Sequence, residues 1–175
     1  MQFVRANAVR CVIGGMLMAF AYCFILVWTP YERERGIARK IEAMGGNAEF
    51  QFLGPKWIPL NFRDRMPWLR RITRVELQWK TISPEMGNDI GTLINLEWLS
   101  LSNSEIHDDS LKYFSTLRNL DDLNLDATQI SDAGLEHLGG LSDLTSLSLE
   151  FTPTTEEGRK RLRARLPRCT ISPDP

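Results

Sequence analysis

The sequence predicts an α/β solenoid, a short stack of about four strand–helix units of 24 residues each, which follows one transmembrane helix. Three observations predict this fold class. Leucines recur at a spacing of 24 residues through the second half of the chain. An uncharged run of eighteen residues stands near the amino terminus. Finally, an acidic stretch, residues 72–153, lies between two basic flanks.

The composition of the whole chain excludes several protein classes. Its 175 residues are 43% hydrophobic, which is enough for one domain or two small ones with a real core. A net charge of −1 argues against a nucleic-acid binder, which needs a strong basic excess. The three cysteines, Cys11, Cys23 and Cys169, are too few and too scattered for a disulfide framework or a zinc site.

Residues 11–28 form the uncharged run, and they predict a membrane anchor within residues 1–30. A helix of eighteen residues is about 27 Å long, close to the hydrocarbon thickness of a bilayer. Trp28 and Tyr31 stand at its far end, where amphipathic aromatic residues favour the headgroup region. We therefore expect a single-pass membrane protein. The alternatives are a cleaved signal peptide and a buried core helix.

A row of small residues lies along one face of this predicted helix. Cys11, Gly15, Ala19 and Cys23 recur every four residues. Such a row lets two helices approach closely and predicts a weak homodimer. A chance arrangement in an apolar helix is the alternative.

Residues 31–46 predict a juxtamembrane helical stalk. Ile37, Ile41 and Met44 have helical spacing, and Gly45 and Gly46 end the helix. We expect the chain from Gly45 onward to fold without the residues that precede it.

Residues 47–71 predict a cap on the first repeat. Residues 48–53 alternate polar and apolar side chains, which is typical of a strand. Pro55, Pro59 and Pro67 then exclude a long regular element. We expect Trp57 and Trp68 to help cover the open end of the solenoid, because aromatic side chains favour burial.

The repeats occupy residues 72–175, including a carboxy-terminal cap. Shifting the chain by 24 residues superposes three rows of strand leucines, and further rows of Ile and Leu follow in each unit. The strand rows are Leu96, Leu99 and Leu101; Leu120, Leu123 and Leu125; and Leu144, Leu147 and Leu149. No unit can bury its leucines alone, so neighbouring units must stack with their strands side by side.

The pattern LxxLxLxxTxI is similar to the leucine-rich repeat signature. With the anchor, the charged segment and units such as TQISDAGLEHLGGL, the chain resembles the small membrane-anchored leucine-rich repeat proteins of planctomycete-type bacteria. The ISDAGL string is also similar to the repeats of F-box proteins, although no F-box-like helices precede it. The resemblance implies a solenoid and a general interaction role, without a known reaction.

One position departs from the pattern of the family. The usual Asn after the strand is replaced by Lys80, Ser104, Thr128 and Thr152. Because a hydroxyl can bond the same loop, though less completely than an amide, we expect the fold to survive with a modest loss of stability.

Residues 159–166 (RKRLRARL) predict the helix of the last unit, with Leu162 and Leu166 facing inward and Ile171 in register with Leu147. This interpretation makes the basic residues a solvated face of the cap. A patch for nucleic acid or anionic lipid is the alternative.

No catalytic motif is found, and we predict no enzyme activity, no cofactor and no metal. His107 and His137, the only histidines, fall at different repeat positions and lack a nucleophile partner. Cys169 lies beside a strand and is expected to be a partly buried free thiol.

The outward positions of the strands are the candidate binding site. Carboxylates dominate this concave face, with large aromatic residues among them, and such residues often anchor protein interfaces. The candidate residues are Trp98, Asp122, Asp126, Glu150, Phe151 and Trp79. We predict a protein or peptide partner, basic in charge, with Trp98 as the apolar anchor. For Trp79, packing against the cap is the alternative.

Two functions can be told apart from the sequence, and a third, a regulatory subunit of a membrane enzyme, is not distinguishable from the first of them. One is a membrane-tethered protein-interaction module that uses the acidic concave face. The other is a structural or envelope protein that self-associates through its membrane helix and has no specific ligand.

Overall fold

The computed structural model describes Met18, Tyr22, Ile25, Leu26 and residues 28–173. These residues form two compact units. One contains the described residues up to Arg33 together with Phe52–Arg70. The other contains Glu34–Gln51 together with the described residues from Arg71 onward.

The larger unit is built on a six-stranded sheet whose strands follow one another in chain order. Its strands are β1 (Asn47–Phe52), β2 (Arg70–Glu76), β3 (Trp98–Ser100), β4 (Asp122–Asn124), β5 (Ser146–Ser148) and β6 (Thr170–Ser172). Strands β2 to β6 are parallel. Helices α3 (Pro84–Gly91), α4 (Asp108–Leu111), α5 (Asp132–Leu138) and α6 (Glu156–Arg165) connect them, and a 3-10 turn, Lys112–Thr116, follows α4.

The strand register confirms the 24-residue repeat. Val75, Leu99, Leu123, Leu147 and Ile171 are paired in one row across the sheet, and each is almost completely buried. Ile171 is opposite Leu147 as the sequence predicts. A continuous leucine core of this kind is what holds stacked units together, because each unit depends on its neighbours for burial.

Helices α3 and α6 begin at hydroxyl residues that cap them. The Ser83 hydroxyl accepts a hydrogen bond from the amide of Met86, and Pro84 occupies the first helical position of α3. Thr155 caps α6 in the same way, accepting from the amide of Gly158. These caps set the start of each helix so that its apolar side chains, such as Met86 and Ile90 in α3, face the core.

Helix α1, residues 28–43, belongs to the folded core along its second half. Ile37, Ala38 and Ile41 are buried in the same apolar cluster as the strand leucines, and Met44 packs against it. The expectation of a separate stalk is therefore wrong for this part of the chain. For a fragment that begins at Gly45 we now expect lower stability, because it would lack these core residues.

The first strand partly fulfils the predicted cap. Ala48 and Phe50 of β1 pack against the core. Trp57 and Trp68 belong to the smaller unit, where Trp57 is largely exposed. The expected covering role of Trp57 is therefore wrong. Ile37 and Ile41 of α1 contribute apolar side chains to the core instead.

The carboxy-terminal cap is formed by α6 and β6. Leu162 and Leu166 are buried, as predicted, whereas Lys160, Arg161 and Arg165 are exposed. Arg163 donates to the carbonyl oxygens of Ile171 and Pro173, and Arg165 pairs with Glu136 at 2.9 Å. Part of the basic stretch thus binds the protein itself.

The smaller unit contains a run of tight turns. Helix α2 (Leu60–Arg63) and a 3-10 turn, Pro67–Leu69, are its short regular elements between Phe52 and Arg70. The amide of Leu53 donates to the carbonyl oxygen of Leu69 at 2.9 Å and closes the segment.

The predicted membrane anchor lies mostly outside the described residues. This holds for the proposed dimer row, Cys11, Gly15, Ala19 and Cys23, in full. Within the part of the chain that the structure describes, no helix is both long and apolar enough to cross a bilayer.

Candidate functional site

The outward side of strands β2 to β5, together with the turns that follow them, is called the sheet face below. It carries all six residues that the sequence predicts as binding residues. Trp98 and Asp122 are neighbours in adjacent strands, as expected from the repeat. Asp126, Glu150, Trp79 and Phe151 follow the carboxyl ends of their strands, so the structure distributes them along the turns.

Trp98 is half-buried because Arg74 covers its ring. The guanidinium carbon lies 4.6 Å from the ring centroid, a distance typical of a cation–π contact. Arg74 also lies 3.6 Å from a carboxylate oxygen of Glu49 on β1. Trp98, Arg74 and Glu49 therefore form a small cluster within the chain. A partner would have to displace Arg74 to contact the full ring of Trp98.

Two acidic residues beside β4, Asp121 and the predicted Asp126, accept hydrogen bonds from the next repeat. Asp121 accepts from the Thr145 hydroxyl at 2.6 Å. Asp126 accepts from the Ser148 hydroxyl at 2.6 Å and from the amide of Glu150 at 2.8 Å. Hydrogen bonds of this kind to a carboxylate hold neighbouring repeats together. These carboxylates therefore have a structural role in addition to the charge that they contribute.

Asp122 lies in a more enclosed position. Partial burial raises the pKa of its carboxyl group, and the neighbouring Asp121 raises it further. Arg74 and a hydrogen bond with Ser146 act in the opposite direction. Glu150, in contrast, is exposed to solvent.

Trp79 and Phe151 are the exposed aromatic side chains of this face, with 72% and 87% of their surface accessible. Trp79, Asn103, Ala127 and Phe151 occupy the same turn position in successive repeats, at intervals of 24 residues. All four have a positive φ, between 52° and 60°. A shallow cavity of about 350 Å³ lies beside Trp79 and is also lined by Asn47 and Glu76.

The hydroxyl groups at the position of the missing Asn bond the loop as expected. Thr128 donates to the carbonyl oxygen of Leu125 at 2.6 Å, and Thr152 donates to that of Leu149 at 2.7 Å. Ser104 donates to Leu77 in the preceding repeat at 2.5 Å. Each hydroxyl thus satisfies a carbonyl group just after a strand, which stabilises the turns that carry Trp79 and Phe151.

A second set of inter-repeat hydrogen bonds was not predicted from the sequence. Asp108 accepts from the amide and the hydroxyl of Ser131 at 2.8 and 2.5 Å. Asp132 accepts from the amide and the hydroxyl of Thr155 at 2.8 and 2.6 Å. In both cases a helix-start carboxylate binds the cap residue of the next helix.

Glycines make room for these carboxylates. A side chain at Gly134 would collide with Asp108, and one at Gly158 would collide with Asp132. The signal was present in the sequence, since SDAG and TEEG occur 24 residues apart. It indicates a helix start, but only the stacked repeats show which carboxylate the glycine faces.

The residues considered for catalysis do not converge. His107 and His137 are both exposed; His107 lies just before α4, whereas His137 lies within α5. Cys169 is buried, and this burial together with Asp122 raises the pKa of its thiol to about 11. Among the described residues, no group of three or more His, Cys, Asp or Glu side chains is arranged to hold a metal ion.

Comparisons with known proteins identify the repeat. Residues 94–153 match the family model described as leucine rich repeat. No curated protein matches the chain. Solved structures with similarity include a leucine-rich repeat protein of Leptospira interrogans (31% identity, TM-score 0.41) and, from Listeria monocytogenes, an internalin (20%, 0.38) and internalin C2 (26%, 0.39).

The chain aligns with only part of each of these proteins. The alignments cover 49%, 50% and 49% of this chain, and 21%, 31% and 36% of the three structures in the same order. Residues 94–153 thus match leucine-rich repeats, and the strand register shows an α/β framework with a parallel sheet.

Proposed function

We propose that this protein is a membrane-tethered protein-interaction module, which binds a partner protein or peptide on its sheet face. Leucine-rich repeats are typically interaction modules, and this one presents a rigid face whose backbone groups are paired. The observation that carries the proposal is the pair of exposed aromatic residues, Trp79 and Phe151, at strained turn positions.

The strain argues against a purely structural role for these two side chains. A left-handed backbone costs a residue with a side chain roughly 1–2 kcal/mol, and Asn tolerates it better than a bulky aromatic residue does. Asn103 occupies the equivalent position in the next repeat. Trp79 and Phe151 gain little from burial in return, so contact with a partner is the better explanation for an aromatic residue there.

The charge of the face supports a basic partner. Residues 72–153 contain fourteen acidic and four basic side chains. Asp126 accepts from the backbone amide of Glu150, so these two acidic residues are neighbours in adjacent repeats, and Asp122 lies in the strand that precedes Asp126. Their fields add over a small area and would attract a positively charged protein or peptide.

The tether is part of the proposal. The uncharged run of residues 11–28 has the length and composition of a single transmembrane span. Trp28 ends this run and Tyr31 follows it, and their ring centroids lie 6.0 Å apart. Aromatic residues of this kind are favoured at a membrane interface. We place the repeats on this anchor and propose a non-catalytic role, because the described histidines and Cys169 offer no activated nucleophile.

Site-directed photocrosslinking in cells of the source organism tests this function. The full chain would carry p-benzoylphenylalanine at position 79 or 151, and at Ile94 or Lys112 as controls. Both controls are exposed, and Ile94 precedes β3 at the opposite end of the strands from the turns. We expect the same partner protein to be captured from 79 and 151 and not from the controls.

Two results would contradict the proposal. Equal capture from Ile94 and position 151 would mean that the sheet face has no special role. Adducts of the chain with itself alone would favour a structural protein that self-associates.

A further inference from the structure

Residues 53–66, called the turn segment below, expose an unusual amount of apolar surface. Trp57 is 81% and Leu60 is 75% exposed, and Leu53 and Phe62 are also exposed. Four large apolar side chains within ten residues are more than isolated exposed positions on a protein surface. Such a patch calls for an apolar environment outside the segment.

The turn segment is held in shape by its own hydrogen bonds. The amide of Ile58 donates to Pro55 at 3.1 Å, and the amide of Phe62 donates to Pro59 at 2.9 Å. Arg63 donates from Nε to the carbonyl oxygen of Ile58 at 3.0 Å, and from Nη2 to that of Lys56 at 3.1 Å. With Ile58 turned inward, this frame keeps Trp57 and Leu60 outside. Their exposure is therefore a property of an ordered structure.

Basic side chains accompany the apolar ones. Lys56, Arg63 and Arg65 lie in the turn segment against a single acidic residue, Asp64. Arg65 lies over the ring of Phe62, with its guanidinium carbon 5.7 Å from the ring centroid. Aromatic, aliphatic and basic groups in one short segment match the chemistry of an anionic bilayer surface, with apolar chains below charged headgroups.

The position of the turn segment within its compact unit fits the same environment. The uncharged run ends at Trp28, and the ring centroid of Trp68 lies 6.2 Å from that of Trp28. If Trp28 lies at the membrane interface, Trp68 lies at the same depth, and the turn segment ends only two residues before it. Met18, Tyr22, Ile25 and Leu26, in the same unit, are exposed apolar residues as well.

We propose that the turn segment inserts Trp57 and Leu60 into the headgroup region of a bilayer that contains anionic phospholipid. This inference rests on the proposed membrane tether and adds a second contact with the lipid. Each buried apolar side chain favours insertion, and Lys56 and Arg65 add attraction to anionic headgroups. The two contacts together would restrict the orientation of the anchored chain.

Tryptophan quenching by brominated lipid tests the proposal. The full chain would be reconstituted into vesicles of equimolar phosphatidylglycerol and acyl-brominated phosphatidylcholine, and flotation would show whether it is bound. Bromine quenches tryptophans that lie in the bilayer interface. We expect Trp57→Phe to remove about a third of the quenching, because Trp28 and Trp68 are the other two indoles expected at that depth. Trp79→Phe, a matched exposed tryptophan in the repeats, should leave the quenching unchanged.

Charge variants test the lipid chemistry. We expect Lys56→Glu with Arg65→Glu to reduce the Trp57 contribution, and Lys160→Glu, an exposed charge on α6, to leave it unchanged. A similar loss should occur when unbrominated phosphatidylcholine replaces phosphatidylglycerol, because the anionic headgroups are then missing.

The outcomes separate the two proposals. A chain that does not float with the vesicles would refute the tether. A chain that floats but shows the same quenching with and without Trp57 would overturn the insertion of the turn segment while the tether stands. If the Trp57 indole is shielded from water only at a high protein-to-lipid ratio and is not quenched by bromine, the insertion is also overturned, in favour of a contact between two copies of the chain.

Discussion

Replacement of Gly158 by Ala tests the inter-repeat hydrogen bonds most sharply. Gly158 lies in the first turn of α6, where an added Cβ would collide with the carboxylate of Asp132. To make room, this carboxylate must move away from the amide and hydroxyl of Thr155. The substitution should therefore break two hydrogen bonds in the neighbouring repeat, although it adds only a methyl group.

The magnitude follows from those two bonds. Hydrogen bonds to a charged group contribute about 1.5–3 kcal/mol each when well shielded, and the partial exposure of Asp132 reduces their sum to about 2 kcal/mol. Ala is favoured over Gly in a helix by up to about 1 kcal/mol, which offsets part of the loss. We expect Gly158→Ala to destabilise the protein by roughly 1–2 kcal/mol, and Asp132→Ala by about 2 kcal/mol.

A double-mutant cycle measured by urea unfolding checks this reasoning. In the Asp132→Ala background the collision is gone, so Gly158→Ala should be neutral or stabilising. Gly36→Ala is the matched control, because Gly36 lies in α1 with no atom near its Cβ position, and it should stabilise. If Gly158→Ala costs the same with and without Asp132, the assigned contact is refuted.

The pH dependence gives an independent check on Asp132. Hydrogen bonds from Thr155 lower the pKa of its carboxyl group, so its contribution to stability is present above the ordinary pKa of Asp, about 4. That contribution is lost as the pH falls through the folded-state value. The cost of Asp132→Ala should therefore shrink in acid, and a cost that grows in acid would contradict the assignment.

Three further predictions concern the core and its buried polar groups. Leu123→Ala should cost about 2–5 kcal/mol, because Leu123 is completely buried in β4 between neighbouring strands; a change below about half a kcal/mol in urea unfolding would contradict the register. Burial raises the pKa of Glu34, whose carboxylate accepts from the Ile72 amide at 2.8 Å. The favourable contribution of this carboxyl group to stability is therefore complete below the ordinary pKa of Glu, about 4.3, and is lost as the pH rises through the folded-state pKa. The Glu34→Gln variant should gain stability relative to wild type as the pH rises, and a stability difference that is constant with pH would contradict this. Alkylation of Cys169 at pH 8, followed by peptide mass spectrometry, should be about two orders of magnitude slower in the native protein than in urea, because its pKa is raised to about 11; equal rates would contradict its burial.

The strand register could be predicted from the sequence because it depends on spacing alone. Leucines 24 residues apart must occupy equivalent places in stacked units, and Leu99, Leu123 and Leu147 do so. The same shift also places Arg74 beside Trp98. The position of the Arg74 guanidinium over the Trp98 ring depends on side-chain conformation, which the spacing of residues does not determine.

The role of α1 could not be predicted from its pattern. Ile37, Ile41 and Met44 form an apolar stripe that fits a stalk as well as a core helix, and only the packed structure distinguishes them. The hydrogen bonds of the carboxylates on the sheet face could not be predicted from the sequence either. A sequence gives their charge, but the hydrogen bonds of Asp121 and Asp126 with the next repeat arise from the stacking itself.

The affinity of the crosslinked partner for the Phe151→Ala variant is the most direct test of recognition on the sheet face. The purified partner would be titrated against the full chain in detergent at low and high salt, with Ile94→Ala as the exposed apolar control. We expect Phe151→Ala to weaken binding by about 2 kcal/mol or more, roughly thirtyfold, and salt to weaken the wild-type complex. Binding that is insensitive to salt and equally affected by Phe151→Ala and Ile94→Ala would contradict recognition on the acidic sheet face.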